Sequence, residues 1–415
     1  MFYLVSVIHM LLAKRFDPTR KYSMSPQMQR GVRRFKDKMR EGEICLDVPA
    51  AFDCASLVTN ATSRHVAGFL RERNLSLTCH VVNGFGDFTS DSSTGLRELI
   101  RYCRTERNGC TSLPQQDGHT TDFHPFQTFT YALMGGIRPE QLLSDGETTL
   151  TDLAMASRKI HIDRIGYQDL GHFMFAVAYL QLDPDLTFMV NEHKLTVKQL
   201  IELGLIAHSD ASEEPSVCSA FHLTEGLCAA AAKIPAMTHL LDEAQELLDR
   251  QLALLQFIGA MIHDSNENRC PNIEMAIELG LINPAKLIFL AGHLLELAAF
   301  AELLGYQLTL EQRNTIRYVA NELNRDFADV LRYMYTSDFS FVCHFRRAIT
   351  LLAEIELAKQ EGRDLDTVDL SSYRADFDIA HSDYGFRTSM VGEVVFFGIE
   401  NLALIGSLLR SLRYR

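Results

Sequence analysis

Two kinds of apolar periodicity run along the chain. In the first, apolar residues recur at helical spacing and charged residues fill the gaps, as expected of helices with one wet face. Leu240, Leu241, Ala244, Leu247 and Leu248 alternate in this way with Asp242, Glu243, Glu246 and Asp249. Leu310, Ile316, Val319, Leu323, Phe327, Val330 and Leu331 form a second such stripe, opened by Thr309 and Gln312 at the spacing of a capping box. Thr196 and Gln199 repeat that device ahead of 200–206. Alternating strand patterns are scarce, and only 75–82 and 188–190 read as short strands.

The second kind of helix is apolar nearly all round and opens with a histidine. The instances are Phe123-His124-Pro-Phe-Gln127, Gly171-His172-Phe-Met, Phe221-His222-Leu-Thr-Glu225, Gly292-His293-Leu-Leu-Glu296 and Cys343-His344-Phe-Arg-Arg347, with Phe386-Arg387-Thr-Ser-Met as a degenerate copy. They follow one another at about fifty residues, the length of one helical hairpin, except for a longer interval between His222 and His293 that carries the additional helix around 240–262. The hexapeptide Ile201-Glu-Leu-Gly-Leu-Ile206 recurs as Ile277-Glu-Leu-Gly-Leu-Ile282, each copy upstream of an H-x-x-E helix, which suggests a duplicated hairpin.

Helices that are apolar on every side must be covered on every side, and one-faced helices can cover them. The expected fold is therefore all-α, an α/α-toroid-like array of helical hairpins, with an irregular multi-helix bundle as the alternative. Residues 1–87 are expected to form an N-terminal helical segment or cap and 88–415 the toroid-like domain, or the two to be one continuous domain. The apolar stretch 1–13 precedes Lys14 and Arg15, the reverse of a signal peptide, and reads as a first buried helix. The stretches 287–305 and 391–409 approach spanning length, but His293, Glu296, Glu302, Glu393 and Glu400 would be costly in lipid, so no membrane association is expected.

Composition narrows the function classes. Apolar residues make up 47% of the 415 residues and charged residues 22%, as in a globular protein. A net charge of −13 argues against a nucleic-acid partner; the basic run Arg30, Arg33, Arg34, Lys36, Lys38 and Arg40 reads as a solvated helix face. The nine cysteines form no C-x-x-C pair, which points to reduced thiols and a cytoplasmic location. The absence of tryptophan speaks against a polysaccharide-processing enzyme. Walker-A, G-x-S-x-G, G-x-G-x-x-G and H-E-x-x-H patterns are missing. Cys79 and His80 would face opposite ways on a strand and so make no nucleophile–base pair.

The histidines are what chemistry remains. With parallel inner helices, the imidazoles of His124, His172, His222, His293 and His344 would converge at the helix N-termini on one cavity, whose partial positive charge suits an anionic or enolate-like ligand, and the first four are the candidate catalytic residues. The i,i+3 spacing puts Glu225 beside His222 and Glu296 beside His293, and Gln127 beside His124. His222, Glu225, His293 and Glu296 are the candidate metal ligands, with iron or another divalent metal as the cofactor. The same carboxylates could instead set imidazole tautomers for acid–base work. Phe123, Phe126, Phe175 and Phe221 would line an apolar pocket for a hydrophobic small-molecule substrate, and Arg387 would hold its anionic group. Oxidation is the favoured reaction; a metal-free lyase or cyclase, and a helical-repeat scaffold for a protein partner, are the alternatives.

Phe123-His124 followed by Tyr131-Ala-Leu133 resembles a helix of questin-oxidase-like proteins, and Gly292-His293-Leu-Leu-Glu-Leu-Ala resembles a later helix of that family, with Glu296 in place of a lysine. The resemblance implies an all-helical oxidoreductase that carries out Baeyer–Villiger-type oxidation of an aromatic or polyketide-like substrate, with His124 and His293 as the residues carried over.

Overall fold

The computed structural model describes residues 26–368, apart from 73–74, 87–88, 91–92, 95–114, 117–118, 121–123, 125, 143–147, 163–166, 191, 211–216, 268–282 and 335–337. The fold is all-α. Its helices are α1 (Pro26–Met39), α2 (Val48–Glu72), α3 (Leu75–Phe85), α4 (Gln127–Met134), α5 (Leu150–Ala156), α6 (Tyr167–Tyr179), α7 (Val197–Asp210), α8 (Val217–Lys233), α9 (Leu241–Glu267), α10 (Pro284–Leu303), α11 (Leu310–Leu331) and α12 (Phe339–Gln360). Both expected capping boxes are formed: Gln312 N donates to Thr309 Oγ1 at 3.2 Å and Thr309 N to Gln312 Oε1 at 2.7 Å, with the same exchange between Thr196 and Gln199. The apolar stripe expected on α11 is realised by Ile316, Val319, Leu323, Phe327, Val330 and Leu331, all buried, whereas Leu241 and Leu310 stay exposed at the first turns of α9 and α11.

The expected strand at 75–82 is instead part of helix α3. Its β-branched and apolar residues do not alternate between two environments: Cys79, Val81, Val82 and Phe85 are all fully buried, and contacts with α2, α4 and α12 override local propensity. What strand there is comes in short pieces: β1 (Thr89–Ser90), β2 (Ser93–Thr94), β3 (Gln115–Gln116), β4 (His119–Thr120), β5 (His161–Ile162), β6 (Thr187–Val190) and β7 (His193–Thr196). The expected strand at 188–190 lies in β6, which pairs antiparallel with β7. Both belong to a small sheet of order β3-β4-β5-β6-β7, while β1 and β2 pair only with each other. Strands of two residues cannot display a period of two.

Six helices contact one another in closed order: α3 on α4, α4 on α6, α6 on α8, α8 on α10, α10 on α12, and α12 back on α3. Other long helices contact neighbouring members of this cycle. Helix α7 lies on α6 and α8, α9 on α8 and α10, α11 on α9 and α10, and α2 on α11 and α12. One hydrophobic core joins residues of α2 and α3 to residues of every later inner helix. Glycines set the closest approaches. A Cβ at Gly171 would press into the carbonyl carbon of His222, and one at Gly226 into the carbonyl oxygen of Gly171. Helices α6 and α8 therefore meet backbone to backbone, and the residues next to these glycines are forced into the same interior layer.

Among the described residues no helix is long and apolar enough to cross a membrane. The stretch 287–305 corresponds to α10, buried from Leu290 to Ala301. The stretches 1–13 and 391–409, Arg387 and the second hexapeptide at 277–282 lie outside the described residues.

Candidate metal centre

Each inner helix delivers one aromatic side chain with a polar tip to the middle of the cycle. These are His80 from α3, Tyr131 from α4, His172 from α6, His222 from α8, His293 from α10 and His344 from α12. They meet ring to ring. Centroid separations are 4.0 Å for His293–His344, 4.4 Å for His172–His222, 5.5 Å for His222–His293, 5.6 Å for His222–His344 and 5.4 Å for His80–His344. The histidines do not cap their helices as expected. His80, His172, His222 and His344 lie in the second turn, and His293 near the middle of α10. A helix terminus acts strongly only over its first turn, so the positive-end argument for an anionic ligand does not apply here.

Three of the imidazoles form a set. One ring nitrogen from each of His222, His293 and His344 lies within 4.8 Å of the other two, and no other trio of His, Cys, Asp or Glu does so among the described residues. In each ring Nδ1 is already engaged. His293 Nδ1 lies 2.7 Å from Phe289 O, His344 Nδ1 lies 2.6 Å from Glu296 Oε2, and His222 Nδ1 lies 3.4 Å from Glu225 Oε2. A carbonyl oxygen only accepts, so His293 carries its proton on Nδ1 and leaves a lone pair on Nε2. In their ionised forms the carboxylates of Glu296 and Glu225 set the same tautomer on His344 and His222, and Asn83 Nδ2 also stands 3.2 Å from His344 Nδ1. This is the outer arrangement usual around metal-bound histidine, where the second nitrogen donates to a carboxylate or carbonyl.

The pairing differs from the expected one at Glu296 and at His124, which meets Asp169 rather than Gln127. Glu296 hydrogen-bonds His344 on α12 rather than His293 on its own helix, while Asn83 donates to its other oxygen at 3.1 Å. Glu225 and Glu296 thus sit behind the imidazoles and orient them. Two buried arginines of α12 lie nearby. Arg347 is stacked over Phe300, with its guanidinium 5.3 Å from the ring centroid, and its charge favours the ionised forms of both glutamates.

Burial governs the electrostatics. His172, His222 and His293 are held well below the ordinary imidazole range by desolvation and by one another, and His344 is lowered to about 3 by desolvation. All four are neutral near pH 7, the form that binds metals. Burial pushes Glu296 up to about 7 and Glu225 upward as well, the charge of Glu296 adding to the second shift.

The other expected site residues are distributed as follows. His172 belongs to the cluster, and neither of its ring nitrogens has a hydrogen-bond partner although it is fully buried. His124 is half-buried and its Nδ1 meets Asp169 Oδ1 at 3.0 Å. Phe221 packs against His293 at 5.5 Å. Phe126 instead joins Phe129, Phe173 and Phe188 in an aromatic knot, and Phe175 stacks on Tyr179. Phe123 lies outside the described residues. Two hollows in the structure, one bordered by Leu46, Glu302, Arg317 and Glu356 and one by Lys36, Arg40, Gln256 and Glu311, include none of the clustered histidines.

Two participants, His80 and Tyr131, lie beyond the histidines expected to converge, and His344 is one of those histidines without an assigned role. His344 has Arg347 at i+3, so the H-x-x-E signal misses it. A strand over 75–82 gives His80 no reason to point inward, and Tyr131 enters only through the resemblance to a family helix. Compared with protein-family models, curated proteins and solved structures, the chain finds no match.

Proposed function

We propose that the chain is an all-helical metalloenzyme that oxidises a hydrophobic small molecule, with a single metal ion held by His222, His293 and His344. The observation that carries this reading is the convergence of three imidazoles, each with a ring nitrogen within 4.8 Å of the other two and each with Nδ1 hydrogen-bonded from behind. Neutral histidines suit iron, copper and zinc alike; three protein ligands leave positions for an exogenous molecule, as catalytic sites require. For bonds of ~2.0–2.1 Å, donors on one tetrahedral ion lie ~3.4 Å apart, so the rings would have to close by about an ångström or slightly more.

A redox-active ion would supply the electron transfer, and dioxygen is the simplest external oxidant. The residues of the chain have other tasks. Glu225, Glu296 and the Phe289 carbonyl fix the ring orientations, the surrounding helices exclude water, and Phe221 offers an apolar wall. The closed order of the six inner helices supports an α/α-toroid, and the resemblance to questin-oxidase-like proteins agrees in reaction class.

Elemental analysis of the protein as purified tests the reading. About one equivalent of iron, or of another redox metal, per chain is expected, with loss of substrate oxidation on chelation and recovery on reloading. Less than about a tenth of an equivalent, with activity that survives chelation, would replace it by metal-free acid–base chemistry of a lyase or cyclase.

A further inference from the structure

Tyr131 is the oxygen-bearing aromatic residue of the cluster, and it stands among the imidazoles rather than beside them. Its ring is fully buried and lies 5.0 Å from His80, 5.2 Å from His172, 5.6 Å from His344 and 6.1 Å from His222. Its hydroxyl oxygen lies 3.3 Å from His344 Nε2 and 3.4 Å from His222 Nε2. These are the two nitrogens that keep a lone pair when Nδ1 of each ring serves a glutamate.

A count of protons shows what the arrangement lacks. With both glutamates ionised, Nε2 of His222 and Nε2 of His344 both present lone pairs to the phenol, which owns one proton. One of the two must go without. A buried acceptor without a donor is costly, at about 1–3 kcal/mol. A cation in place of the phenolic proton satisfies the oxygen and both nitrogens together. The separations fit as well, since donors bound to one ion at ~2.0–2.1 Å stand about 3–3.4 Å apart.

The start of α4 is built to hold this residue in place. Phe126, immediately before the helix, has φ of 71°, a left-handed conformation that a bulky side chain avoids. Edge-on contacts with Phe173 at 4.8 Å and Phe188 at 5.5 Å hold it there. Local strain of this kind persists where the surroundings over-determine it, and it fixes the direction in which α4 enters the ring of helices.

Resting on the reading of His222, His293 and His344 as a metal site, we infer that Tyr131 is the fourth protein ligand, bound as phenolate, and that the site selects ferric iron. A phenolate is a hard anionic oxygen donor, and three neutral nitrogens with one such oxygen suit a trivalent ion better than zinc or cuprous copper. Binding releases the phenolic proton to solvent. The ferric form arises by one-electron oxidation of bound ferrous iron, with ferricyanide as the acceptor in the test below.

The full-length protein, freed of metal, is loaded anaerobically with one equivalent of ferrous iron and oxidised with ferricyanide. Iron per chain and the visible spectrum are recorded for the wild type and for Tyr131→Phe. The wild type should hold about one iron and develop a phenolate-to-iron charge-transfer band. Tyr131→Phe should bind iron at least about tenfold more weakly and show no such band. Resonance Raman excitation within the wild-type band should give tyrosinate ring vibrations, a measurement that does not depend on whether the variant folds. Iron bound by the wild type without that band, or a band unchanged in Tyr131→Phe, overturns the role of Tyr131 and leaves the histidine site standing. Failure of the wild type to retain iron, zinc or copper overturns both.

Discussion

Two groups of polar side chains, one around the buried Asn314 and the half-buried Asn321 and one among the clustered histidines, can be set side by side. On α11, Asn314 and Asn321 capture the segment that joins α1 to α2. Asn314 Oδ1 accepts from Ile44 N at 2.9 Å while its amide donates to Met39 O and Gly42 O, and Asn321 accepts from Asp47 N and donates to Cys45 O. Oxygen and amide nitrogen of both side chains are engaged, and the partners are backbone groups that would otherwise lack them. In the middle of the six inner helices the outcome is the opposite. His172 has no hydrogen-bond partner at either nitrogen, and two further imidazoles, those of His222 and His344, turn lone pairs toward one phenol. Asn314 is satisfied by the protein alone, whereas Asn324 on the same helix is buried with neither amide atom partnered. A polar group kept for a ligand is satisfied only on the side away from it, as Nδ1 of His222, His293 and His344 is here.

Substitution should separate the two groups cleanly. Replacing His344 by Ala should weaken metal binding by more than about 100-fold, beyond the range for residues that merely support a ligand, as read by competition with a chelator. Replacing Asn314 by Ala should leave metal stoichiometry unchanged but lower unfolding stability by about 2–4 kcal/mol, because it strands three backbone groups; urea denaturation measures this. If Asn314→Ala lost the metal, or His344→Ala retained it, the distinction between the groups would fail. Gly171→Ala tests the scaffold between them. Its Cβ would press on the backbone of His222, so about 2–3 kcal/mol of stability should be lost together with some metal affinity. A smaller effect is expected from Glu296→Gln, which keeps the shape and removes the charge behind His344. Metal affinity should fall by about 10–100-fold with little change in the thermal midpoint.

Much of the helical fold was legible because a period of 3.6 survives in any helix with a wet face, and the stripes on α9 and α11 have one. The histidine set was legible for a different reason. His172, His222 and His293 stand out because polar residues are rare on helices that are otherwise buried all round. What stayed hidden is what depends on neighbours distant in sequence. Glu296 lies three residues after His293, yet its hydrogen bond goes to His344 across the gap between α10 and α12, and no spacing rule describes a bond between helices. His344 lacked a carboxylate of its own for that reason. His80 was hidden by a β-branched, apolar stretch that forms a helix only because it is enclosed by other helices, and Tyr131 by its resemblance to ordinary aromatic core. Cys79, next to His80, turns to Thr128 at 3.7 Å, while His80 turns to Tyr131 and His344.

His172 allows the finest version of the comparison, because its isolation has a pH signature. In the metal-free protein its folded pKa lies well below 6.5, desolvation being the main cause and the neighbouring imidazoles adding to it, whereas in the unfolded chain it takes the ordinary 6.5. Between these values the unfolded state binds one more proton than the folded state. Stability therefore rises with pH across that window and is lost as pH falls below 6.5. His222, His293 and His344 act in the same direction, while the raised Glu225 and Glu296 oppose them, losing stability as pH rises above 4.5, for Glu296 up to about 7. Replacing His172 by Gln removes one of the four imidazole contributions and leaves the rest. From pH 7.5 to pH 5 the variant should lose less stability than the wild type, by at most about 2 kcal/mol, one proton's worth at about 1.4 kcal/mol per pH unit below 6.5. Urea midpoints of the two metal-free proteins at the two pH values measure the difference. Parallel pH dependences would mean that His172 takes up a proton in the folded protein as readily as in the unfolded chain, and the contrast with Asn314 would then lose its sharpest term.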